Sequence, residues 1–263
     1  MRAIALQYHD VIDGGAWEAS GFPGDAAATY KLSAAEFAAH VRAVSAAAAP
    51  HPLGVLEALR AGAAVGRPVV LFTFDDGGVS AIARTADTLE AHGWRGHFFV
   101  TTDYVGTPGF LTGAQIRELH ARGHIVGAHS CSHPVRMSQC TPAELRREWG
   151  GSVRALADVL GAPVAVASVP GGYYAPRVAE AAAQAGVRAL FTSEPVSRVA
   201  RVGECLVLGR YTLRRGTPAE VAASLAAGRP APQLQQWVAW NTKKVAKRVA
   251  GRLYLRVRRA LLK

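Results

Sequence analysis

The chain has 263 residues, half of them hydrophobic, which excludes a disordered protein and is enough to bury one large α/β core. Three cysteines are too few for a disulfide scaffold and fit a reducing compartment, and no run reaches the ~18 uninterrupted apolar residues of a membrane span. The net charge of +11 is unevenly placed: residues 221–263 hold ten Lys or Arg and no Asp or Glu, leaving the rest close to neutral.

In chain order, residues 3–8 read as a strand ending in Tyr8-His9-Asp10, followed by a Gly-rich loop. Ser33-Ala34-Ala35-Glu36 has the pattern of a capping box, and Phe37, Val41 and Val44 recur at helical spacing behind it. A short helix and turn over 54–67 leads into Val69-Val70-Leu71-Phe72, an apolar run of the kind buried on both faces of a parallel sheet. That run ends in Thr73-Phe74-Asp75-Asp76-Gly77-Gly78. Two adjacent carboxylates after a buried strand are costly unless positive charge lies beside them, and the glycines permit a sharp exit from the sheet.

The pattern then repeats. Helices are expected over 80–92, 112–123, from 141 onward, 175–185 and after Thr217-Pro218-Ala219-Glu220; strands are expected over 96–101, 124–128, 164–169, 189–192 and 206–213. About seven strands alternating with helices imply right-handed crossovers and a parallel sheet or barrel. Chemistry in such folds sits at the carboxyl ends of the strands. The polar residues at those ends are His9, Asp75, Asp76, His129, His133 and the Pro170-Gly171-Gly172 loop.

His129-Ser130-Cys131-Ser132-His133 follows one of the strands, and two histidines four apart on a helical turn share a face. Two imidazoles with a carboxylate from the Asp pair make a three-ligand set that leaves positions open for water and substrate. Zinc suits it, as do cobalt, nickel and iron. Cys131 reads as a small packed residue rather than a ligand.

The Thr73–Gly77 motif followed some fifty residues later by the His129–His133 motif resembles the polysaccharide deacetylase (NodB-homology, carbohydrate esterase family 4) family, over roughly residues 1–225. The resemblance implies a distorted (β/α)7 barrel and a metal-dependent hydrolase removing N-acetyl groups from amino sugars, of the kind used in exopolysaccharide biosynthesis. It implies Asp75 as general base and Asp76, His129 and His133 as metal ligands. The family's third motif keeps its loop here as Ser168-Val169-Pro170-Gly171-Gly172 but lacks its Arg, and the N–H of Gly171 takes the place of the oxyanion donor. Tyr173 and Tyr174 are expected to bind substrate by stacking on a sugar ring.

The fourth motif survives only as Phe191-Thr192-Ser193-Glu194-Pro195, without its Asp. Arg210 is expected at the substrate-binding surface and, paired with Glu194, to orient Asp75. The last strand has no His where the fifth motif carries one, so the general acid is assigned to His9, because the first and last strands of a closed barrel are neighbours.

The domain division expected is 1–228 for the catalytic unit and 229–263 for the tail. Residues 233–263 read as one amphipathic helix, with Val245, Val249, Leu253 and Val257 on one side, Lys and Arg on the other, and Trp237 and Trp240 at its start. A basic helix with tryptophans suits an anionic membrane surface; packing back on the barrel is the alternative. With no nucleic-acid motif and no apparent signal peptide, the expectation is a cytoplasmic protein, peripheral on the inner membrane, that acts on an N-acetylated polysaccharide or a lipid-linked saccharide. Two other functions fit the same residues: a non-catalytic glycan-binding protein, and a deformylase-type amide hydrolase acting on a lipid-linked amino sugar.

Overall fold

A computed structural model describes residues 1–48, 54–65 and 68–244. Its strands are β1 (Ala3–Tyr8), β2 (Val11–Ile12), β3 (Leu32–Ser33), β4 (Val69–Phe74), β5 (Gly96–Val100), β6 (Ile125–Ala128), β7 (Val166–Ser168), β8 (Ala189–Phe191), β9 (Ala200–Val202), β10 (Cys205–Leu208) and β11 (Arg210–Thr212). β2 and β3 pair only with each other, while the other strands form one sheet in the order β11-β1-β4-β5-β6-β7-β8-β10-β9. Every pairing in that sheet is parallel except β9 with β10.

The two ends of the sheet meet in one stretch of chain. β10 pairs with β8 through Leu206 and Ala189, and β11 pairs with β1 through Arg210 and Ala5. Only Gly209 separates β10 from β11. A continuous last strand is what the sequence suggests; the break occurs because the 194–196 backbone presses on Gly209, where a Cβ would lie 2.3 Å from the Glu194 carbonyl oxygen. The result is the expected distorted barrel of seven parallel segments.

Alternation along the strands sorts residues between two cores. Ile4, Leu6 and Tyr8 of β1, with Val70, Phe72 and Phe74 of β4, pack outward against helices such as Ala34–Ala47. Ala3 and Ala5, with Val69 and Leu71, pack inward against Phe99, Val166, Phe191 and Leu208. Val55, Ala58 and Leu59 of the helix Val55–Val65 belong to this inner cluster and plug the floor of the barrel. The inward phase continues upward to Gln7 on β1, to Thr73 and then Asp75 beyond β4, and to Ser168 and Arg210. The polar centre is therefore placed by strand parity, above a floor of small and aromatic side chains.

Three helices begin with capping boxes: the one expected at Ser33 with Glu36, and two more in which the helix starts expected at Thr112 and Thr141 pair with Gln115 and Glu144. Gly161 in the left-handed conformation ends the helix Pro142–Leu160. The C-terminal segment is helical from 230, not 233, through 244. Pro230 occupies the first helical position, where a missing N–H costs nothing. The apolar stripe Val245–Val257 and the basic residues after Lys244 lie outside the described residues.

Candidate active site

Asp75 and Asp76 are both buried, at 3% and 8% exposure, in very different surroundings. Asp75 receives a fork from Arg210: Nη1 donates to Oδ1 at 2.7 Å and Nη2 to Oδ2 at 2.8 Å. Gln7 Nε2 donates to Oδ2 at 2.8 Å and Ser168 Oγ to Oδ1 at 2.9 Å. Arg210 is itself fully buried, gives its Nε–H to the Thr192 carbonyl at 3.0 Å, and stands over the rings of Phe99 and Phe191. Burial pushes the Asp75 carboxyl up, but the charge and hydrogen bonds of Arg210 outweigh it and hold it well below the usual carboxylate range. Asp75 is ionised at neutral pH.

Asp76 faces two imidazoles. Its Oδ1 lies 3.4 Å from His129 Nε2 and 3.5 Å from His133 Nε2. The three ligand atoms all fall within 4.8 Å of one another. Burial raises the Asp76 carboxyl; the two imidazoles facing it bring it well below its ordinary value. His129 Nδ1 lies 3.0 Å from the Ser168 carbonyl oxygen and 2.5 Å from Ser168 Oγ. A proton on Nδ1 is satisfied there, which leaves the Nε2 lone pair for a cation. Buried carboxylate and imidazole donors converging with this tautomer fit a divalent metal.

The histidines are not a helical turn apart, as their spacing suggests. His129 follows directly on β6, and a loop carries the chain to His133, bringing the two rings to 5.1 Å. Asp76, Ser130 and His133 all have left-handed backbone, with φ of 76°, 65° and 58°. Non-glycine residues held there cost on the order of 1–3 kcal/mol each and cluster at functional sites. Two of the three candidate ligands are among them. Glu148 of the helix Pro142–Leu160 holds the loop from behind: the N–H groups of Cys131 and Ser132 donate to Oε2 at 3.0 and 2.9 Å, and Ser132 Oγ donates to Oε1 at 2.8 Å.

A cavity of about 320 Å³ opens over both acids and is lined by His9, Phe22, Tyr30, His129, His133, Gly171 and Trp240, among others. His9 packs its ring on Tyr30 at 4.8 Å, and its Nδ1 is buried with no partner among the described residues.

Residues 62–190 match the family model described as polysaccharide deacetylase. Over that stretch, which holds both acids and both histidines, the chain is similar to the polysaccharide deacetylase family. A Bacillus subtilis protein, YxkH, which carries that family's name, is 25% identical over 126 residues, covering 48% of this chain and 45% of its own length. The match thus spans less than half of that curated relative. Among solved structures, a polysaccharide deacetylase from Bacillus cereus superposes with a TM-score of 0.69 at 20% identity, over 86% of this chain and 69% of that one. The Streptococcus pyogenes deacetylase PplD superposes at 0.66 and 19%, over 81% and 93%. IcaB from Ammonifex degensii gives 0.66 and 23%, over 86% and 98%. At these identities the superpositions establish a shared polysaccharide deacetylase fold.

Within this deacetylase barrel, Asp75, Asp76, His9, His129, His133 and Gly171 come together around one cavity. Other residues sit differently from the sequence reading. Arg210 is fully buried beneath Asp75 and offers no surface to substrate. Glu194 does not pair with it through its side chain; Lys244 Nζ donates to Glu194 Oε1 at 3.1 Å, and the Glu194 carbonyl takes the Arg210 N–H. The inward phase of β11 gives the guanidinium a nearer acid. Tyr173 and Tyr174 are outside the cavity lining: Arg136 stands over the Tyr173 ring at 5.2 Å, and Tyr174 packs against the outer core. The cavity's aromatic rings are Phe22, Tyr30 and Trp240 instead.

Sequence reasoning missed Gln7, Glu148 and Asp10. Asp10 accepts from Ser20 at 2.5 Å and Ser80 at 2.8 Å, tying the loop that carries Phe22 to the turn after the two acids. Gln7 had a visible signal, being the one polar side chain within Ala3–Tyr8 apart from the terminal tyrosine.

Proposed function

We propose that this chain is a metal-dependent N-deacetylase acting on amino sugars of a polysaccharide or its lipid-linked precursor. The supporting observation is an ionised, four-fold hydrogen-bonded Asp75 next to the Asp76–His129–His133 triad in one cavity. A divalent cation held by Asp76, His129 and His133, zinc by preference, supplies Lewis acidity toward the amide carbonyl and toward water.

Asp75 takes the proton of the attacking water. All four of its lone-pair sites are engaged, so one donor must withdraw as the proton arrives. Gln7 can do so, because its Nε2 also has Ser193 Oγ at 3.2 Å. The Gly171 N–H donates to the carbonyl oxygen as negative charge gathers there. His9, on the opposite strand end, hands a proton to the departing amine nitrogen, and the products are acetate and a free amino sugar.

The same reading places the protein on the cytoplasmic face of the inner membrane. Leu234, Trp237 and Val238 are 60%, 47% and 49% exposed on the 230–244 helix, which leads into the basic segment. Apolar and aromatic residues beside such charge suit an anionic bilayer. Wild-type protein is expected to sediment with anionic vesicles and a Leu234→Ser/Trp237→Ser/Val238→Ser variant to remain in solution; equal sedimentation removes the membrane assignment.

The activity is tested by acetate release from N-acetylglucosamine oligomers and from lipid-linked N-acetylated saccharides, with zinc, cobalt or nickel added. Release that requires a metal and disappears in Asp75→Asn is the expected result. Cation binding with no acetate from any of these would favour the glycan-binding function, and formate released from an N-formylated sugar would favour the deformylase.

A further inference from the structure

We infer that the C-terminal helix is part of the substrate site, with Trp240 as the wall on which a sugar ring stacks. This inference rests on the deacetylase reading above. The helix of residues 230–244 turns Gln236, Trp240 and Lys244 toward the barrel, four residues apart and therefore on one face. Gln236 is clamped to Thr212 by two bonds of 3.1 Å, accepting from its N–H and donating to its carbonyl. Lys244 is held by Glu194. Between these anchors Trp240 lies over Gly172, where a Cβ would come within 3.0 Å of the indole. A glycine is needed there for the ring to reach the cavity.

Three aromatic rings line the cavity, and two are already committed. Phe22 packs against Tyr104, Phe110 and His133, while Tyr30 packs against His9 and lies under the Arg214 guanidinium at 4.7 Å. Trp240 is in no ring or cation–π contact among the described residues, and its buried Nε1–H has no partner there. An uncommitted indole with an unused donor, beside acids and imidazoles, matches what a pyranose requires: an aromatic face for its C–H groups and a polar group for a hydroxyl.

The helix is also tied to the catalytic base. Thr212 Oγ1 donates to Gln7 Oε1 at 2.8 Å, and Gln7 Nε2 donates to Asp75. Seating the helix therefore fixes Thr212, Gln7 and the base in sequence.

The test uses full-length Trp240→Phe and Trp240→Ala proteins with a β-1,4-linked N-acetylglucosamine tetramer. Acetate release should show KM raised about tenfold in Trp240→Ala with kcat within about threefold, and Trp240→Phe near wild type, since a phenyl ring still stacks. Separately, tetramer titrated into an Asp75→Asn protein should change tryptophan emission, and this change should vanish in Asp75→Asn/Trp240→Phe while binding persists by calorimetry. An unchanged KM in Trp240→Ala overturns the inference, and so does equal damage in both variants with a lowered melting temperature, which would make Trp240 only a helix anchor. If wild type releases no acetate but the emission change still depends on Trp240, the deacetylase reading fails and the sugar wall stands.

Discussion

Asp75 and Asp76 are neighbours in sequence, both buried and of the same chemistry, yet the fold gives them opposite surroundings. Asp75 remains in the inward phase of β4 and meets Arg210, Gln7 and Ser168, so its charge is neutralised by the protein itself. Asp76 has left the strand with φ of 76° and meets two imidazoles and an open cavity. A carboxylate that is already paired has no call for a cation; one aimed at two imidazole nitrogens does. One peptide unit of backbone thus separates the proposed base from a proposed metal ligand. Ser168 joins the two sides, lying between His129 Nδ1 and Asp75 Oδ1.

Removing the charge on one side alone breaks the comparison most severely. Arg210→Met leaves Asp75 buried without its counter-ion and should destabilise the protein by about 3–5 kcal/mol, as truncating one partner of a buried pair does. Chemical denaturation measures this, and calorimetric cation titration of the folded variant should show the triad still binding. A loss of cation binding equal to that of an Asp76 variant would show that the two sides are not separate.

Acid tests the floor beneath both sites. His97 is buried, accepts the Val55 N–H at Nε2, and faces the Phe72 carbonyl through Nδ1. Burial is the main cause of its pKa falling to about 4. Because that lies below the unfolded value, the stability from the neutral ring is complete above pH ~6.5 and is lost as pH falls toward 4, by about 3 kcal/mol. A His97→Gln protein should show a shallower loss over that range in denaturant melts; an identical slope would mean that His97 does not carry it.

The smallest effect belongs to the loop behind the histidines. Glu148→Gln removes one acceptor from a buried group with four donors, Arg147 among them, and should weaken cation affinity about tenfold, the low end for outer partners of a metal site. Asp75 should be untouched, so kcat at saturating cation should change little. An unchanged affinity would show that the left-handed residues Ser130 and His133 hold the loop without Glu148.

What the sequence made legible was local. The capping boxes at Ser33, Thr112 and Thr141, the strand before Asp75 and the paired motifs of acids and histidines each depend on residues within a few positions of one another. What it hid depends on closure of the barrel. Arg210 lies 135 residues from Asp75 and meets it only because Gly209 breaks the last strand between β8 and β1. Glu194 seemed the natural partner for Arg210, but strand parity turns the guanidinium inward, where Asp75 is nearer. The helical spacing of His129 and His133 was misleading because left-handed residues at Ser130 and His133 make a compact loop of the same reach. Trp240 could be seen as a tryptophan of an amphipathic helix, but its inward turn follows from the Gln236–Thr212 clamp, which no periodicity encodes.

The separation of base from ligand is tested most directly by measuring cation stoichiometry and acetate release together in Asp75→Asn and Asp76→Asn proteins. Asp75→Asn should bind one divalent ion as wild type does and lose acetate release by on the order of a thousandfold. Asp76→Asn should lose the ion and the activity together. An Asp75→Asn protein that no longer binds the ion, or an Asp76→Asn protein that binds it normally, would contradict the assignment of the two acids.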